Sequence, residues 1–252
     1  YSFQLFFLPN FSGTSFGFTW SYHGDKGLEN WPETCKGNKQ SPINIEKNKA
    51  QTNNSLGSIT FVNYDKPLYK PFLVNNGHSG ERECSDDQRW RFGGKLQIPQ
   101  LHFHWGSQDS IGSEHTVDNK TYSMEMHLVH YNSKYCSDEA SKYPDGLAVV
   151  AVLFIVKNNI KSRFSAFTDI LKNIRHEGNT TAMSEYESSV DLTLKSVLPQ
   201  QTTPFYRYSG SLTTPPCSEV ILWTVLADPV KIGKTEVCYF DCLALSYLHL
   251  VF

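Results

Sequence analysis

The chain has no excess of charge. Its 252 residues carry 23 Lys and Arg against 25 Asp and Glu, a formal net charge of −2. So balanced a surface offers no field for nucleic acid or an anionic membrane. Long apolar runs are also missing. No stretch approaches the roughly 20 apolar residues of a membrane span, and the run from Leu243 to Phe252 is too short. There is no internal repeat, low-complexity linker, glycine-rich phosphate loop, nucleotide fingerprint or serine elbow. These absences remove the nucleotide-handling and serine-hydrolase readings. A hydrophobic share of 39 % and an aromatic share of 13 % suit one large globular domain.

Six cysteines (Cys35, Cys84, Cys136, Cys217, Cys238 and Cys242) suit an oxidising compartment. Glycosylation sequons at Asn10, Asn53, Asn119 and Asn179 point the same way. The expectation is a secreted or extracellular glycoprotein.

Strand-like runs dominate: Ser58–Tyr64, Tyr69–Val74, Lys95–Trp105, Tyr122–Tyr131, Leu147–Val156, Phe205–Tyr208 and Glu219–Leu226. Several are rich in Val, Ile, Phe and Tyr and bounded by Gly, Pro or Asn. The unbroken apolar run Leu147–Val156 reads as a central strand buried on both faces. One helix is predicted over Ser162–His176, where Phe164, Phe167, Leu171 and Ile174 recur at helical spacing and Gly178 is placed to stop it. The predicted class is mainly β (α+β): a single domain with a large, mostly antiparallel twisted sheet and short peripheral helices.

The most informative motif is Leu101-His102-Phe103-His104-Trp105-Gly106, followed by Glu125-Met126-His127. In a strand, residues two apart share a face, so His102 and His104 project side by side. A neighbouring strand carrying His127 would complete three neutral nitrogen donors. That is the ligand count of a catalytic zinc site with its fourth position open to water. No cysteine adjoins these histidines to suggest a closed structural site. The His-x-His pair by itself equally suits two hydrogen-bonded strand histidines. Glu125 favours metal, because it shares a strand face with His127 and can accept that ring's other N–H. A cupin-like oxygenase also uses His-x-His, but it wants a nearby glutamate where this chain has Asp109. Thr213 and Thr214 precede Pro215-Pro216 in an otherwise ordinary proline-rich loop. Glu114, His78, His115 and His130 read, taken singly, as a loop carboxylate, a surface histidine and two structural hydrogen-bonders.

Together these residues resemble the α-class carbonic anhydrases, and the extracellular members more than the cytosolic ones. The matching stretches are Trp20-Ser21-Tyr22, Gln40 to Ile45, Asn75 to His78 and Gln100 to Gly106, continuing with Gly112 to Asp118, Glu125 to Lys134, Pro144 to Val149 and Gly210 to Cys217. They span residues 20–236 in the family's order, leaving 1–19 and 237–252 as divergent tails.

By that resemblance His102, His104 and His127 are zinc ligands, and Gln100 and Glu125 hydrogen-bond the ligand rings. Thr213 orients the attacking oxygen while donating its own proton to Glu114. Thr214, Val129, Val149, Leu212, Ile221 and Trp223 form the substrate pocket. His78 is the proton shuttle, with Tyr22 and Asn76 along the water path, and Cys35 pairs with Cys217. The implied reaction is zinc-dependent, reversible hydration of carbon dioxide to bicarbonate and a proton. The implied partners are small molecules, handled by a monomer with no nucleic acid and no membrane span. Two departures stand out. Ser79 to Gly94 lacks the family's alternating strand, and Val237 to Phe252 lacks its closing strands. The expected consequences are an exposed sheet edge and marginal stability. An alternative reading is therefore a noncatalytic or poorly active binding or matrix protein on the same fold.

Overall fold

The computed structural model describes residues 20, 24–66, 72–74, 96–135, 139–160, 162, 180–182, 193–241 and 249–251. In chain order the strands are β1 (Asn44–Ile45), β2 (Phe72–Val74), β3 (Leu96–Trp105), β4 (Thr116–Val117), β5 (Met124–Asn132) and β6 (Leu147–Lys157). They continue with β7 (Thr180–Ala182), β8 (Phe205–Gly210), β9 (Ile221–Leu226), β10 (Val230–Gly233) and β11 (His249–Val251). A helix α1 (Lys234–Asp241) follows β10, and short 3-10 turns decorate the periphery.

One sheet runs in the order β7-β2-β11-β3-β5-β6-β9-β8, with β10 paired to β6 off that path. Most pairs are antiparallel, while β6 runs parallel to both β9 and β10, so the sheet is mixed. β1 and β4 form a small parallel pair of their own. The apolar run of β6 is a central strand as predicted, with Ala151, Val152, Leu153 and Phe154 fully buried. Both its faces are covered, which explains why its sequence does not alternate.

The reverse face of β3 and β5 is apolar. Phe103, Met124, Met126 and Leu128 are buried there. Phe240 of α1 packs on that face, 5.2 Å from the Phe103 ring and 5.4 Å from Trp105. The Glu236 carboxylate accepts from the Gly233 N–H at 2.7 Å and the Ser162 N–H at 3.0 Å, fixing the start of α1.

Two sequence expectations change. Ser58–Tyr64 is not a strand; it joins no ladder. Asn63 adopts a positive φ of 60°, and the chain turns there as the Lys66 N–H bonds the Asn63 carbonyl. Tyr64 is buried and reaches across to His130 instead. The second change concerns the closing segment, a divergent tail expected to lack the family's closing strands. Residues 249–251 enter the sheet as β11 between β2 and β3. The helix expected over Ser162–His176 lies, apart from Ser162, outside the described residues.

Candidate metal centre

The pairing of β3 with β5 sets His102 opposite His127 and His104 opposite Glu125. Strand alternation puts these four residues on one face, and Phe103, Trp105, Met124 and Met126 on the other. His127 Nδ1 lies 3.0 Å from Nε2 of His102 and 3.0 Å from Nε2 of His104. The three donor atoms all fall within 4.8 Å of one another, and all three rings are buried. A tetrahedral ion with bonds of about 2.0–2.1 Å holds neighbouring nitrogens about 3.3 Å apart, close to this spacing.

The ring tautomer also fits a metal. His127 Nε2 meets Glu125 Oε1 at 2.7 Å. A carboxylate can only accept, so Nε2 carries the proton and Nδ1 turns its lone pair towards the other two rings. Burial pulls the His127 imidazole below its ordinary value against the opposing pull of Glu125. Burial and the nearby His127 and His102 rings pull His104 well below. Neutral imidazoles are the metal-binding form.

Glu125 is buried, and burial alone would raise its carboxyl. His115 and His127 outweigh that effect and hold it well below the usual carboxylate range. Its second oxygen accepts the His115 backbone N–H at 2.7 Å, and its first lies 2.6 Å from His115 Nδ1. His115, Glu125 and His127 form another close donor set, but their atoms are already committed to one another by hydrogen bonds.

From His115 the network continues outward. The Tyr208 hydroxyl bridges His115 Nε2 at 2.6 Å and Ser41 Oγ at 2.9 Å. Ser41 and Ser211 then exchange two bonds: the Ser211 N–H donates to Ser41 Oγ and the Ser41 N–H donates to Ser211 Oγ. A Cβ at Gly210 would overlap Ser41 Oγ, so only glycine lets the strand pass this close. A chain of hydrogen bonds, buried at both ends and part-buried at Tyr208, thus joins the back of His127 to the loop bearing Thr213. The sequence showed His115 as a structural hydrogen-bonder, but Tyr208, Ser41 and Ser211 carried no local signal of belonging to one network.

Burial and then the charge of Glu125 push the Glu114 carboxyl well above the usual range, against the opposing influence of the nearby Thr213 hydroxyl. Glu114 Oε1 lies 3.2 Å from His104 Nδ1. The Glu114 segment is seated by Gly112, whose missing Cβ would overlap the Ser123 carbonyl. On the Thr213 side, Cys35 and Cys217 are joined by a disulfide. The Cys217 N–H bonds the Thr214 carbonyl, and the Leu212 N–H bonds the Ser218 carbonyl. Thr214 is itself buried.

An apolar wall adjoins His127. Val129 pairs with Val149, which pairs with Trp223 on the next strand. These three pack in one buried cluster with Ile221, and Leu212 leans on it. Gln100 takes the β3 rung opposite Val129, two residues before His102. His78, Tyr22 and Asn76 lie outside the described residues, as do Cys84, Cys136 and Cys242. Cys238 is an exposed free thiol.

A mixed sheet carrying three converging imidazoles that could hold a metal ion defines a protein of the mainly β class with a candidate metal site. Comparison with known proteins narrows this. The eukaryotic-type carbonic anhydrase family matches residues 26–247, and the chain belongs to that family. It is 40 % identical to human carbonic anhydrase 6 over 228 residues, covering 86 % of this chain and 72 % of the relative. It is 37 % identical to mouse carbonic anhydrase 15 over 243 residues, 89 % of this chain and 74 % of that one. Putative carbonic anhydrase 5 of Caenorhabditis elegans matches at 38 % over 228 residues, 86 % and 71 % of the two chains. The enzyme class is that of the family, a lyase. Among the described residues no helix is long and apolar enough to cross a membrane.

Proposed function

We propose that the chain catalyses zinc-dependent, reversible hydration of carbon dioxide to bicarbonate and a proton. The observation that carries this is the convergence of His102 Nε2, His104 Nε2 and His127 Nδ1 beside the Glu114–Thr213 pair. When bound, zinc supplies a Lewis acid that lets water ionise near neutral pH; carbonic anhydrase is itself the standard example of that effect.

The chain's own residues do the rest. His102, His104 and His127 hold the ion through three neutral nitrogens, and Glu125 keeps the His127 proton on Nε2. Gln100 steadies the ligand set from its place two residues before His102. Thr213 donates its hydroxyl hydrogen bond to the Glu114 carboxyl. Its oxygen is then free only to accept, which orients the attacking oxygen towards carbon dioxide. Val129, Val149, Leu212, Ile221 and Trp223 hold the apolar substrate and exclude water, and Thr214 positions the product anion. His78 accepts the released proton at an imidazole whose ordinary value of about 6.5 suits transfer near neutral pH. Tyr22 and Asn76 order the water path to it.

The Cys35–Cys217 disulfide supports a secreted or extracellular location. Exposed Asn53 supports glycosylation in that compartment. Its Oδ1 accepts the Ser55 N–H at 3.0 Å in an exposed segment.

The test is stopped-flow hydration on protein whose zinc content has been measured. Zinc near one per chain with fast hydration is expected. Bound zinc without hydration would sink this reading and favour the noncatalytic one. His78→Ala should slow turnover in weak buffer and recover in strong imidazole buffer.

A further inference from the structure

We infer that His249–Val251 is a positioning element of the metal centre, acting through the backbone of β3. This rests on the reading of His102, His104 and His127 as the metal-holding set. β11 pairs with β3 at three rungs: Val251 opposite Gln100, Leu250 opposite Leu101 and His249 opposite His102. Its other edge pairs with β2, with Phe72, Leu73 and Val74 opposite Val251, Leu250 and His249. β3 is thereby an interior strand along the half that carries His102, between β11 and β5. Among the described residues, the rungs of Phe103, His104 and Trp105 lie outside the register with β11.

Neighbouring strands lie about 4.8 Å apart, so β2 and β3 stand about two spacings from each other across β11. They cannot bond directly in this arrangement. Among the described residues, β11 is what joins the β7–β2 pair to the rest of the sheet. Without it, the His102 half of β3 presents an open edge of unpaired N–H and C=O groups. A ligand set must be held to about 0.5 Å for full affinity, so freedom at one rung weakens the site even while the side chains remain.

The experiment compares the unmodified full chain with Leu250→Pro and Leu250→Ala. Proline removes a ladder N–H and is excluded from interior strands, whereas alanine keeps the backbone bonds. Three readouts are taken: amide hydrogen exchange, zinc affinity by chelator competition, and the visible spectrum of the cobalt-loaded protein. In the unmodified chain, the amides of Leu250, Val251, Leu101 and His102 should exchange slowly together. Leu250→Pro should speed exchange at Leu101 and His102 more than at Phe103 to Trp105. It should also weaken zinc binding about 10- to 100-fold, as loss of a ligand's support does, and shift the cobalt bands. Leu250→Ala should keep the unmodified spectrum and affinity within about threefold. Unchanged zinc affinity and cobalt bands in a folded Leu250→Pro protein would overturn the inference. So would exchange of Leu250 and Val251 at the rate of unstructured chain in the unmodified protein, a measurement that decides the matter if the proline variant fails to fold. Failure of the unmodified chain to bind zinc or cobalt would instead remove the proposed function, leaving the exchange data to judge the strand insertion alone.

Discussion

β5 carries two histidines three residues apart, on opposite faces of the sheet. His127 faces the centre, donates its Nε2–H to Glu125 as a hydrogen bond, and leaves Nδ1 directed at two further ring nitrogens. His130 faces the other way and has both nitrogens engaged: Nε2 lies 2.6 Å from the Tyr64 hydroxyl and Nδ1 lies 3.2 Å from the Ala148 carbonyl. Both rings are buried and both are held neutral. The difference lies in what the second nitrogen meets. A satisfied ring is part of the core, whereas a ring whose lone pair points at other ring nitrogens is suited to hold a metal.

The contrast is broken most severely by deleting each ring in turn. His127→Ala should abolish stoichiometric zinc, read by metal analysis after dialysis, and take hydration to background. His130→Gln should keep zinc near one per chain. If the two variants retain zinc equally, the two faces do not divide as described.

Next in size is the apolar support behind the centre. Phe240→Ala removes a fully buried ring packed on Phe103 and Trp105 and should cost about 3–5 kcal/mol of unfolding free energy in denaturant titrations. A cost below about 1 kcal/mol would mean that α1 does not support the reverse face of β3.

Acid sharpens the comparison on the His130 side. Burial pulls its imidazole down to about 4 from an ordinary 6.5. Between those values the unfolded chain takes up a proton that the folded chain refuses. Stability is therefore lost as pH falls from 6.5 towards 4, and no further loss from this group follows below that. At 1.36 kcal/mol per unit the window is worth about 3 kcal/mol. His130→Gln should flatten the stability–pH slope in that window, and an unchanged slope would refute the assignment.

Much of this was legible in the residues, because a period of two is strong when one face is polar and the other apolar. His102-Phe103-His104 and Glu125-Met126-His127 declare their faces without any structure. β6 was legible for the opposite reason, an apolar run with no alternation. Ser58–Tyr64 misled because its side chains suit a pleated surface while strandhood needs a neighbour, and Asn63 turns the chain away from one. The Glu125–His115–Tyr208–Ser41 network could not be read, since Tyr208 and Ser41 are 167 residues apart and each is an ordinary residue locally. β11 was hidden likewise. Three residues carry too little pattern to reveal a strand whose place depends on β2 and β3.

The smallest expected effect lies where α1 meets the loop after β3. Lys234 Nζ lies 2.6 Å from Asp109 Oδ1, an ion pair that ties the reverse-face helix to the segment leading towards Glu114. Its position suggests importance, but the side chains are 50 % and 39 % exposed. Water screens the attraction, and ordering two long side chains offsets much of what remains. Lys234→Ala should therefore cost only about 0.2–1 kcal/mol, shrinking further in high salt, with zinc affinity unchanged. A larger loss, or a salt-independent one, would mean that the loop depends on this tie and that the two faces of β3 are coupled through its end as well as through its backbone.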